Sequence, residues 1–90
     1  MKFDNLVFFS HPIIKEAIQA RVRLDNGKEV SVVCGEGLYS SSRAGLRKAC
    51  NRVEDAASFE VMIGDEVNGW QGREEIDLLM AKAELEDEVQ

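Results

Sequence analysis

The residues 17–34, AIQARVRLDNGKEVSVVC, constrain the fold more than any other part of the chain. Ile18, Ala20, Val22 and Leu24 alternate with Gln19, Arg21 and Arg23, and Val30, Val32 and Cys34 resume the alternation after Asp25-Asn26-Gly27. A period of two gives a strand one apolar face and one polar face, so this is a hairpin with a single buried side. Loop length then decides the register. A two-residue turn at Asn26-Gly27 would set Val22 against Ser31 and Arg21 against Val32, mixing the faces. A three-residue loop with Gly27 left-handed sets Leu24 against Lys28, Val22 against Val30, Ala20 against Val32 and Ile18 against Cys34. Arg23 then meets Glu29 and Arg21 meets Ser31. The second register is the prediction, and its outer face carries Lys15, Gln19, Arg21 and Arg23, with Val33 the one apolar intruder.

Other segments follow with less definition. Residues 6–10, LVFFS, read as a further strand, central or buried on both sides, stopped at His11-Pro12 because proline has no ladder donor. Leu46, Ala49, Cys50 and Val53 fall at i, i+3, i+4 and i+7 and predict a helix capped by Ser41 or Ser42, with Gly45 in its first turns a weakening of about 1 kcal/mol against alanine. Phe59, Val61 and Ile63 alternate with Glu60 and Met62 in a short strand closed by Gly64. Residues 65–72, DEVNGWQG, have the composition of a turn. Ile76, Leu79, Met80 and Ala83 predict a last helix, with Glu74, Glu75 and Asp77 placed early where negative charge favours the helix dipole.

The order is β-β-β-α-β-α. With both helices amphipathic, the expectation is a small single-domain α+β fold over residues 1–90. It has two layers, a mostly antiparallel sheet of about four strands with two helices on one face. Ninety residues sustain one core and not two. The acidic end from Glu84 to Gln90 is expected to fray.

Charge is distributed unevenly. The net charge is −6, yet the segment from His11 to Val53 carries +4 and that from Glu54 to Gln90 carries −10. The two halves either neutralise each other across the fold or present opposite surfaces to partners. No apolar run approaches the ~18 residues of a membrane span, and Leu6–Phe9 is too short an apolar run for a signal-peptide core. The expected location is the cytoplasm.

The loop "CGEGLYSSS" poses the question of phosphate binding, because two glycines lie between a strand and an expected helix. A dinucleotide fingerprint needs a third glycine where Ser40 stands, and Glu36 between Gly35 and Gly37 would repel an anion. No Gly-Lys-Ser/Thr follows. A turn with a serine cap is the favoured reading, and a weak anion site at the helix start the other. Cys34 and Cys50 form no C-x-x-C and have no partnering histidines, so both read as buried, inert thiols and no metal or cofactor is expected. His11, the only histidine, reads as a solvated loop residue without a nucleophile beside it. The expectation is a protein that is not an enzyme.

These features point to a non-catalytic protein–protein interaction module, a small acidic regulator or inhibitor of one partner, expected to be basic. Trp70 would anchor it, with Glu74, Glu75 and Asp77 steering the encounter. In one form of this reading, Asp65, Glu66, Glu74, Glu75, Asp77, Glu84 and Glu88 imitate a nucleic-acid backbone. The other place for Trp70 is the core, folded back against Ile76. The alternative function is nucleic-acid binding through the sheet face and first helix, by Lys15, Arg21, Arg23, Arg43, Arg47 and Lys48. Against it stands the lack of aromatics interleaved with those arginines, and pairing of Arg21 and Arg23 with carboxylates would mark their face as structural. A homodimer formed through an exposed edge strand is a further arrangement the pattern allows.

Overall fold

In the computed structural model, which describes residues 1–86, the strands are β1 (Phe9–Ser10), β2 (Ala17–Arg23), β3 (Glu29–Gly35), β4 (Ser41–Ser42), β5 (Gly45–Leu46), β6 (Ala56–Ile63) and β7 (Glu66–Gln71). The α-helix α1 (Arg73–Leu85) follows. All pairings are antiparallel, in the order β1-β2-β3-β6, with β7 on the other edge of β6 and the short β4-β5 ribbon beside the Ala56–Ser58 end of β6. The central hairpin takes the predicted register: Val22 faces Val30, Ala20 faces Val32, Ile18 faces Cys34 and Arg23 faces Glu29. Gly27 turns it at φ +91°, a conformation in which a side chain would clash with its own backbone.

The expectation of four strands and two helices is wrong: among the described residues seven antiparallel strands form one sheet, and there is one α-helix. The helix expected through Leu46, Ala49, Cys50 and Val53 does not form, and only a single 3-10 turn, Val53–Asp55, appears there. Its serines bond locally instead of leaving the backbone to a helix. Ser42 Oγ accepts from Ala44 N at 3.2 Å and donates to Ala49 O at 2.7 Å, and Ser40 Oγ accepts from Gly35 N at 3.1 Å. The four-residue stripe also shares no buried face, since Leu46 is 68% exposed and Cys50 2%. The turn-like residues 65–72 become strand β7, with only Gly64-Asp65 left to turn between Ile63 and Glu66. Of residues 6–10 only Phe9 and Ser10 pair, at the edge of the sheet rather than its centre.

The helix covers one face. Ile76, Met80 and Ala83 of α1 pack with Ile18, Val30, Val32, Cys34, Phe59 and Val61 in one core cluster. The N-terminal segment joins it: Phe3 and Phe8 meet Phe59 with ring centroids 5.2 and 5.5 Å away. Phe3 N donates to Asp77 Oδ1 at 2.6 Å, and the Met1 ammonium meets Glu84 at 3.0 Å. Glu84 and Leu85, expected to fray, thus lie within the helix. Residues 87–90, Glu88 among them, lie outside the described residues.

The hairpin loop does more than turn. Asn26 Nδ2 donates to Ala83 O at 2.7 Å and to Glu86 O at 2.9 Å, supplying donors at a helix end where backbone N–H groups run out. Asn26→Asp replaces those donors with an acceptor and sets a negative charge at the negative end of the dipole. It is expected to lower stability by about 1–2 kcal/mol, read from the urea midpoint, although aspartate suits a hairpin loop as well as asparagine does.

Candidate functional site

Because the helix lies on one side only, the alternate residues of the sheet form an uncovered face. The registers align them in rows. Phe9, Gln19, Val33 and Glu60 make one row, Arg21, Ser31, Met62 and Val67 the next, and Arg23 and Glu29 a third. Phe9, Met62 and Val67 are each close to half exposed.

The segment 36–40 folds over the Glu60 end of this face. Tyr39 N donates to Glu60 Oε1 at 2.9 Å, and Trp70 N donates to Tyr39 O at 2.9 Å. Glycine at position 69 permits this approach, since a Cβ there would lie 2.9 Å from Tyr39 Cβ. The Tyr39 and Trp70 rings stand 5.3 Å apart at 38°, and the Arg47 guanidinium lies 4.8 Å from the centre of the Tyr39 ring. Arg47 Nη2 donates to Gly37 O at 2.7 Å, which fixes it there. The two aromatic side chains remain 46% and 47% exposed. Trp70 (φ +52°) and Arg47 (φ +57°) adopt left-handed backbone, which side chains of their size rarely do.

Of the residues singled out as a partner-binding set, Trp70, Glu74 and Glu75 are exposed and Asp77 is partly buried. Trp70 pairs with Tyr39 rather than with Ile76. Glu75 Oε1 accepts from Gly72 N at 2.6 Å and closes the start of α1, and Asp77 holds Phe3 N. Both carboxylates therefore serve the fold.

The basic set is also largely engaged. Arg21 and Arg23 share Glu29, at 3.2 and 2.7 Å, and Arg43 meets Asp55 at 3.3 Å. Lys15 and Lys48 are exposed, on separate loops. His11 lies in a loop and is partly exposed, and its Nδ1 accepts from Ile13 N at 3.1 Å and Ile14 N at 3.0 Å and so holds the turn. Tyr39 was missed in the sequence. The one signal for it was a lone tyrosine after two glycines, a place where a large ring has few neighbours to bury it.

Hydrogen bonding and charge from Arg23, with Arg21 beside it, hold the Glu29 carboxyl below its ordinary value of 4.5, and Lys28 does the same to Glu86. Depressed carboxyls contribute stability that is present above the unfolded value and lost as pH falls through the folded one. Thermal stability is therefore expected to drop on acidification below about pH 5, less steeply in Glu29→Gln. Both groups are exposed, so about 1 M salt should flatten the difference between the proteins.

A shallow groove beside the cluster, bordered by His11, Leu38 and Met62, measures 160 Å³. Small-molecule pockets run to about 300–1,000 Å³, so this face suits contact with another surface. Among the described residues, no group of three or more histidine, cysteine, aspartate or glutamate side chains is placed to hold a metal ion, and no helix is long and apolar enough to cross a membrane. Comparison with protein-family models, with curated proteins and with solved structures finds no match.

Proposed function

We propose that the protein is a non-catalytic protein–protein interaction module whose contact surface is the helix-free sheet face, centred on Tyr39, Trp70 and Arg47. One observation carries this reading: tryptophan, tyrosine and arginine, the side chains that dominate binding hot spots, are stacked together, half exposed, and held by backbone bonds before any partner arrives. Left-handed backbone at Trp70 and Arg47 adds to it, since local strain is retained where the surroundings enforce it and clusters at functional sites.

The partner this face suits is a folded protein with an apolar patch. The exposed Met62, Val67, Tyr39 and Trp70 supply the area it would cover, while Arg21 and Arg23 are both paired with Glu29, which marks their edge of the face as structural. The basic partner expected from the acidic helix start is less well supported, because Glu75 and Asp77 are bonded within the fold.

The test is capture of a partner from lysate by tagged wild-type protein, with and without nuclease, repeated with Trp70→Gly and with Glu74→Ala as control. Glycine relieves the left-handed backbone, so the melting temperature should stay within a few degrees while binding weakens about thirtyfold, or about 2 kcal/mol. Glu74→Ala should bind as wild type does. Equal binding by Trp70→Gly overturns the assignment of the surface. Captured material that disappears with nuclease overturns the protein-partner reading in favour of stacking on single-stranded nucleic acid, for which Tyr39 and Trp70 beside Arg47 have the chemistry.

A further inference from the structure

Cys34 and Cys50 stand at the two ends of the excursion that carries Tyr39 and Arg47. Cys34 lies next to the end of β3, facing inward and paired across the hairpin with Ile18. Cys50 returns to the same place, its N donating to Glu16 O at 2.9 Å, immediately before β2. Between them, the Cys34 thiol lies 3.5 Å from Ser41 O, and the adjoining Ser42 Oγ donates to Ala49 O at 2.7 Å. Both cysteines are free and buried in the same core cluster, near enough that Cys50 helps to raise the Cys34 thiol, while Cys34 Sγ and Cys50 Sγ lie 3.5 and 3.3 Å from the carbonyl oxygens of Ser41 and Arg52. Two neighbouring thiols are not needed to fill an apolar core; two alanines or valines would serve.

We propose that Cys34 and Cys50 are a redox-modifiable pair, and that oxidation joins them in a disulfide closing the segment 35–49 into a covalent loop. The oxidant is a small-molecule disulfide such as oxidised glutathione. One cysteine, as thiolate, attacks the oxidant and expels one glutathione thiolate, leaving a mixed disulfide. The second thiolate attacks the protein sulfur of that bond and expels the other glutathione. The protein gives up two protons and two electrons, and one oxidant disulfide becomes two thiols.

Burial, with the neighbouring Cys50 adding to it, pushes the Cys34 thiol up to about 12. Little thiolate exists near neutral pH in the closed protein, so reaction passes through local opening of the excursion. Once formed, the bond limits the freedom of a loop of about 15 residues in the unfolded chain. On the interaction reading above, it also holds Tyr39 in place before a partner binds, and the oxidised protein is the better binder.

The test equilibrates the full chain in glutathione buffers of graded ratio, alkylates free thiols in denaturant and reads the intact mass. The expected result is one intramolecular disulfide per chain, mapped to Cys34 and Cys50, reversed by reductant, with a melting temperature about 10 °C higher. Chains that remain doubly alkylated at every ratio, or that carry only glutathione adducts or intermolecular bonds, overturn the proposal. The wild-type protein decides this alone, so nothing depends on cysteine variants folding. A second arm compares capture of the partner by reduced and oxidised protein. Formation of the disulfide without a gain in binding overturns the role given to the excursion and leaves the covalent chemistry standing.

Discussion

Phe59→Ala is expected to lower stability by about 3–5 kcal/mol, the cost of truncating a fully buried phenylalanine. Phe59 has no exposed surface and is met by Phe3 and Phe8, with ring centroids 5.2 and 5.5 Å away. The remaining rings belong to a short N-terminal segment, fixed by few strand bonds, and cannot collapse into the void without abandoning Asp77 and β2. A domain of this size has about 5–15 kcal/mol in all, so the variant should unfold at a clearly lower urea concentration than the wild type. Phe8→Ala, at a half-buried ring of the same trio, should cost visibly less. Equal losses would mean that Phe59 does not form the centre of this core.

Arg73→Ala is the second large expectation, about 2–3 kcal/mol. A cation in the first turn of a helix sits at the wrong end of the dipole, so Arg73 must gain elsewhere what it loses there. It donates to Ala56 O at 3.2 Å and to Val53 O at 2.9 Å, while its guanidinium lies 5.2 Å from the Phe3 ring and 5.4 Å from that of Phe59. One planar group thus ties α1, the turn before β6 and the N-terminal segment together. Lysine keeps the charge but not the fork, so Arg73→Lys should recover little of the loss. A double-mutant cycle with Phe59→Leu should show non-additivity, and strict additivity would remove the ring contact from the account.

The residues that alternate with a period of two were readable because that pattern has one structural meaning. The β2-β3 register followed from it, as did Phe59, Val61 and Ile63 on the inner side of β6. The stripe Leu46-Ala49-Cys50-Val53 was misread because four positions can match helical spacing by chance. What overrode it, the bonds of Ser40 and Ser42 to nearby backbone, has no periodic signature. Strand β7 was hidden by Asn68-Gly69, residues that usually turn a chain. Gly69 is there to let Tyr39 approach, a contact thirty residues distant in sequence. The same kind of distance explains the site. Trp70 stood out by rarity, but Tyr39 acquires its meaning only when the 36–40 segment crosses the sheet. Glu75 and Asp77 looked like free surface charge because the sequence shows their sign and not their hydrogen bonds.

The contacts of Met1 with Glu84 and of Phe3 with Asp77 join opposite ends of the sequence. They set an order of events for the nascent chain. During synthesis the β2-β3 hairpin has all its residues early and can close locally. Phe3 and Phe8 meet each other but lack their other partners until Phe59, Arg73 and Asp77 have left the ribosome. Until then the N-terminal aromatics are exposed and sticky, and the final docking step closes a loop nearly as long as the chain, which places it among slow, topology-limited steps. Stalled or truncated chains lacking α1 are therefore expected to be captured by chaperones through residues 3–9, which settle only after the helix has formed.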